Sequence, residues 1–284
     1  MIRSLPRSKA YCRSFNFFII LYFVFLFAPL VITCILAFNN SDFPYLPWQG
    51  FTTDWFVSAG PERIGLFQDS SMMRSILTSF ETAACVSILC VVVGTCASFL
   101  FEKENFRFKG ILYFLMLAPL VIPGVILGIS LLFASNTAGT FFEDNLGLDI
   151  GLFRPSFWLV VLGQFSFITT FVTLVVSARL RKFDHSYEEA ALNLGATEFQ
   201  VIRYVTLRFL RPAITGAGAV AFLMSFENFN TTLFLVGSEP TLPINLYLQV
   251  RDGSTPVINA VSLMLILGTS IVALANLYLC RKTD

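Results

Sequence analysis

Six long apolar runs govern what this chain can fold into: Phe15 to Phe38, Met72 to Phe101, Gly110 to Phe133, Ser156 to Ala178, Ala213 to Val236 and Val257 to Cys280. Each is about 20 residues or longer, which as a helix crosses the ~30 Å hydrocarbon layer of a bilayer. No water reaches that layer to satisfy the backbone, so each run must close its own hydrogen bonds as a helix. The sequence therefore predicts an all-α, polytopic membrane protein with six transmembrane helices. A composition of 56% hydrophobic and 13% charged residues excludes an ordinary soluble domain. Arg3, Arg7, Lys9 and Arg13 ahead of the first run look like the start of a secretory signal, but the run is long and no small-residue cleavage site follows it. Residues 1–14 are read as a cytoplasmic N-terminus and 15–284 as one transmembrane domain.

The lysines and arginines orient the helices. Fifteen of 19 lie in the N-terminus, in 102–109, in 179–213 or at the C-terminus, against Arg63, Arg74, Arg154 and Arg251 on the other side. Such a bias over short loops places both termini and the long central loop in the cytoplasm. On the outer side, 39–70 carries Pro44, Pro47, Trp48, Trp55 and Pro61, which suggests a short helix at the water–lipid interface. Residues 134–155 and 237–256 read as polar connections. The six cysteines fall in or beside apolar runs without a CxxC pair, so they read as small apolar residues and not as a disulfide or metal framework.

The central loop, 184–212, is too well specified to be a mere connector. Ser186-Tyr187-Glu188-Glu189 and Thr197-Glu198-Phe199-Gln200 both have the form of a capping box. Gly195 lies between them, where a short helix ends on a left-handed residue. Helix, sharp turn, helix is a shape on which a partner docks. His185, the only histidine, reads as a solvated loop residue.

EAALNLG at Glu189 to Gly195 resembles the EAA motif of ABC-importer permeases, with Val205-Thr206-Leu207-Arg208 where that motif ends in Ile-x-Leu-Pro. FNNSDF, WQGFTTDWF, APLVIPGVILGISLLF and LPINLYLQVRDGSTPVINAVS extend the resemblance over nearly the whole chain, to the second permease subunit of spermidine/putrescine-type importers. The resemblance implies a fold of six helices, with the first wrapping a partner permease. It also implies that the loop is a coupling helix seated in a cytoplasmic ATP-hydrolysing subunit. Glu188, Glu189, Ala190, Ala191 and Gly195 are the coupling residues it points to. The partners it implies are a pair of such ATPase subunits, a second permease (a homologous chain before a second copy) and an extracytoplasmic solute-binding protein, all in the cell inner membrane or beside it. Arg208 in place of the motif proline removes a helix-bending residue, and Pro212 is the available substitute.

Ionisable groups inside spans are costly unless they face protein or water. Glu81 and Glu227 each lie about nine residues from the outer end of their runs, roughly 13–14 Å deep. Asn228, Asn230 and Thr231 extend the second into a polar cluster. We read Glu227, Asn228, Asn230, Thr231 and Glu81 as candidates for the translocation path, attracting a cationic solute; helix–helix hydrogen bonding is the alternative for the amides and hydroxyls. Gly124 stands where polyamine-type relatives usually carry an acid.

No GxxxxGK[ST], HExxH or GxSxG occurs, so the chain is read as a transport subunit and not an enzyme. It is expected to bind no cofactor or metal itself, with ATP and Mg held by the partner, and to have no nucleic-acid partner. The expected solute is a polyamine; an opine, an aminophosphonate or another small solute is the alternative within the class. An ion-coupled secondary transporter is the alternative outside it, although no inverted repeat is visible.

Overall fold

The computed structural model describes residues 9–60, 63–148, 150–253 and 255–281, with side chains throughout except at Ala10 and residues 272–281. The helices run in order α1 (Lys9–Leu36), α2 (Asp54–Val57), α3 (Ser70–Lys103), α4 (Lys109–Val121), α5 (Gly124–Leu146), α6 (Phe157–Leu180), α7 (Ser186–Asn193), α8 (Glu198–Val201), α9 (Leu207–Phe226), α10 (Thr232–Leu235), α11 (Leu242–Gly253) and α12 (Val257–Arg281). A 3-10 turn at Gly151–Phe153 and a π turn at Ile202–Thr206 complete the helical set. Five helices among the described residues are long and apolar enough to cross a membrane, and the sixth run forms α12, 25 residues long. Residues 1–8, with Arg3 and Arg7, and the stretch 282–284, with Lys282, lie outside the described residues.

Three expectations change in detail. The third run is two helices, α4 and α5, parted at Ile122, whose extended backbone (ψ 130°) is what a following proline imposes. α5 then continues to Leu146 through the stretch read as a polar connection, and the buried Ser135 hydroxyl donates to Phe153 O at 2.7 Å to hold the 3-10 turn against it. The connection 237–256 likewise contains a helix, α11, with Pro243 in its first turn, where a missing N–H leaves nothing unpaired. The fifth run begins earlier than its apolar stretch and ends sooner. Glu198 to Phe226 is one helical path, and the chain leaves the helix at Glu227.

The chain divides into two compact units, residues 1–73 with 248–284, and residues 74–247. In the first, α1 packs on α12, and the outer stretch is folded around Asn39. The buried Asn39 amide accepts from Gln49 N at 2.8 Å and donates to Pro47 O at 3.2 Å, while its carbonyl takes the Trp55 indole N–H at 2.8 Å. Arg63 stacks on Trp55 at 5.0 Å and pairs with Asp42 at 2.8 Å. The helix expected here is only the single turn α2, because these side-chain bonds to the backbone replace a helical ladder.

In the second unit α6 is the central post, with 56% of its most apolar window buried against 6% for α1. Val161, Ile168, Val172, Val176 and Leu180 of α6 form a core with Val86 and Cys90 of α3 and with Leu210, Ala217 and Ala221 of α9. Lipid solvates the outer faces as readily as a core would, so only this inner seam is close-packed.

Candidate functional site

The central loop forms the expected helix–turn–helix. α7 ends in a Schellman turn: Ala196 N donates to Ala191 O at 3.1 Å, Gly195 N donates to Leu192 O at 2.9 Å, and Gly195 takes φ +88°. A side chain at 195 would be strained by that backbone angle alone. The capping box at Thr197 and Gln200 is complete in both directions, at 3.4 and 2.9 Å. The box expected at Ser186 does not form. Asp184 accepts the Ser186 N–H at 3.0 Å instead, and this backbone bond holds its carboxyl below the usual carboxylate range. The helix starts one residue earlier than the box requires, so Glu189 N is spent on His185 O at 3.2 Å and is not free for the Ser186 hydroxyl.

Loss of that box separates the two glutamates. Glu189 has no N-cap duty; it is exposed, beside exposed Ala190 and half-buried Ala191, with no side-chain hydrogen bond or ion pair among the described residues. Glu188, grouped with the coupling face in the sequence, turns inward. It receives the Lys103 ammonium from the end of α3, the Thr206 hydroxyl from the π turn, and His185 Nδ1 at 3.2 Å. Burial pushes its carboxyl up, but the bonds from Lys103, Thr206 and His185 outweigh that and hold it below the ordinary value. Behind it, Phe183 packs on Phe209 and Tyr187, and Arg179 lies 4.1 Å over the Phe209 ring. Next to it Arg181 pairs with Glu102 at 2.8 Å, a bond that raises the guanidinium pKa.

Tyr187, Leu194 and Phe199 remain on the outside, 62%, 89% and 69% exposed. The π turn and Pro212 supply the irregularity that Arg208 in the motif's proline position cannot. Lys103 escaped the sequence reading because it is 85 residues from Glu188; its only signal was a charge at the very end of a span.

The second cluster surrounds the end of α9. Gln164, fully buried on α6, accepts the Ser225 hydroxyl and donates to Thr232 Oγ1 at 2.8 Å; Thr232 donates onward to Asn228 Oδ1 at 2.9 Å. The chain thus bridges the break between α9 and α10. On the other side α5 comes so close that a Cβ at Gly128 would lie 2.8 Å from Thr231 O, and one at Gly124 3.1 Å from Asn230 Cβ. Gly124 therefore has a packing reason.

Of the candidate path residues, Thr231 is buried and donates to Gly124 O at 3.3 Å, and Asn228 is half-buried in the Gln164 chain. Glu227, Asn230 and Glu81 are exposed, with no side-chain partner among the described residues. α3 begins at Ser70, so Glu81 lies about 16 Å along it. Gln164 was missed because a lone glutamine in an apolar run has no spacing signature.

A set of membrane-spanning helices, with a helix–turn–helix between two of them and a polar break in one span, is an arrangement suited to transport. The chain belongs to the family of binding-protein-dependent transport system inner membrane components, which matches residues 91–282, and it is the permease subunit of an ABC importer. It is 32% identical over 269 residues to the putrescine transport system permease protein PotI of Escherichia coli (strain K12), covering 94% of this chain and 90% of that one. To the spermidine/putrescine transport system permease protein PotC of the same strain it is 26% identical over 260 residues, covering 91% and 90%. A bacterial alginate ABC transporter, solved with its alginate pentasaccharide-bound periplasmic protein, shares the fold with TM-score 0.69 at 18% identity over 96% of this chain and 94% of that chain.

The depressed Glu188 pKa means that its ties stabilise the fold above the unfolded carboxylate pKa and are lost as pH falls through the folded one. Thermal unfolding in detergent should show wild type above Glu188→Gln by a constant margin at about pH 6 and higher, a margin that shrinks progressively as pH falls below the unfolded carboxylate pKa of about 4.3. Gln164→Leu leaves the Ser225 and Thr232 hydroxyls without their partner and should cost about 1–3 kcal/mol in the same measurement.

Proposed function

We propose that this subunit, with a second and homologous permease, forms the path by which a small organic cation of the polyamine class crosses the inner membrane. The solute is delivered by an extracytoplasmic binding protein. The work is supplied by a pair of cytoplasmic ATPase subunits holding ATP and Mg, one of which seats the loop 184–212. Both termini and the loop face the cytoplasm, as the arginine and lysine bias requires.

The observation that carries this reading is the surface of the loop. Tyr187, Leu194 and Phe199 are exposed around the unpartnered Glu189 and the small Ala190. Exposed apolar groups rimmed by polar ones mark an interaction site, and a helix fixed by a Schellman turn and a capping box is stiff enough to carry force. Of the coupling residues, Glu189, Ala190 and Ala191 supply the contact and Gly195 the turn. At membrane depth, non-helical backbone is tolerated only when covered by protein or facing water. The break at 227–231 is covered on the α5 and α6 sides, so its exposed Glu227 and Asn230, together with Glu81 on α3, are assigned to the water-filled side. Carboxylates there attract an ammonium group. Thr231 and Asn228 hold the break in shape.

Gly195→Trp should release the ATPase subunits during purification while the permease still inserts; retention at wild-type stoichiometry would sink the docking assignment. Glu227→Gln should lower uptake of radiolabelled 1,4-diaminobutane at least tenfold with the ATPase still bound. Unchanged uptake and solute preference would remove Glu227 from the path.

A further inference from the structure

α3 and α9 meet in mid-membrane, where the Ser87 hydroxyl donates to Gly218 O at 2.8 Å. Towards the cytoplasm they part around a cavity of about 680 Å³, lined by Val92, Cys96 and Phe99 on one side and Ile202, Leu207 and Ile214 on the other. Lys103 of α3 lines this cavity, and it bonds the same carboxylate, Glu188 of α7, as does Thr206 from the π turn that leads into α9.

We propose that Glu188 is a strut: a positioning residue that joins the coupling loop to α3 and α9 at once and never touches the ATPase. Its side chain is 16% exposed, and its carboxylate already takes three donors, from Lys103, Thr206 and His185. Little acceptor capacity is left for a partner protein. Buried ion pairs are poor sources of stability compared with apolar side chains of the same size; what they fix is a unique arrangement. Here that arrangement couples three elements across a gap that apolar packing does not fill. A tilt of α7 pulls on Lys103 and Thr206 together, and through Tyr187 on Phe183, which follows α6 and packs on Phe209 of α9. Without the strut, α7 can move while the spans stay behind. The π turn fits this role, since its wide turn presents Thr206, fully buried, towards the loop.

The proposal rests on the reading that the loop seats an ATPase, and the test separates the two. The complete importer, reconstituted with its binding protein in vesicles, is assayed for bound ATPase, for ATP hydrolysis and for uptake of 1,4-diaminobutane. Glu188→Gln and Lys103→Met should keep the ATPase bound yet raise the ATP hydrolysed per solute at least fivefold. The exchange of Lys103→Glu with Glu188→Lys should bring that ratio back to within threefold of wild type. Lys103→Met with Glu188→Met, which keeps the volume and removes both charges, should insert normally and stay uncoupled; it guards against mistaking misfolding for uncoupling. The strut is overturned if Glu188→Gln releases the ATPase as a bulky residue at 195 does, since Glu188 would then be a docking contact. It is also overturned if the single variants couple as wild type, if the exchange does no better than they do, or if the double methionine variant couples fully. An ATPase absent even from the wild-type complex overturns the docking reading and the strut with it.

Discussion

Hydrocarbon offers a polar group nothing to bond, and most of this structure answers to that. It forces the apolar runs into helices, leaves α1 almost bare because lipid solvates it, and confines close packing to the seam where α3, α6 and α9 meet. It also makes every polar group at depth informative. Gln164 is buried about a third of the way along a span and has both ends of its amide bonded. The unwound segment after α9 has α5 glycines pressed against one side and the Gln164 chain on another. A break so supported is a built feature, and it decides which side chains stay covered and which are exposed.

The same logic runs differently at the loop 184–212, where charge is exposed to water at little cost. There the unusual residue is the charged one that is not exposed. Glu188 and Glu189 are neighbours in sequence and in helix α7, about 100° apart around its axis. That rotation sends one into a nest of three donors and leaves the other free. One helical turn thus has an inner face holding the loop to the spans and an outer face open to a partner. Phe183 and Arg179 extend the inner face to the end of α6, and Phe209 extends it onto α9.

Much of this was legible in the chain. Apolar run lengths fixed the class and, within a few residues, the ends of α3, α6 and α12 and the C-terminal end of α1, because hydrophobic thickness sets helix length directly. Gly195 and the Thr197–Gln200 box were readable because turns and caps are local chemistry. The Ser186 box was readable too and did not form: the helix begins with His185 at its cap, one residue before the pattern places it, and a pattern match does not fix that register. α11 and the extension of α5 were hidden by Pro243 and by a polar composition that a helix packed against protein tolerates.

What the sequence by itself determined is therefore the membrane class, the number of spans and the shape of the loop. All of these follow from periodicity, composition and neighbours within a few residues. Only the tertiary structure decided that Lys103 meets Glu188, that Gln164 meets Ser225 and Thr232, and that Gly124 and Gly128 lie against the break. Those partners are tens of residues apart in the chain. A side chain's role there depends on which helix the fold brings beside it, and no local pattern records that.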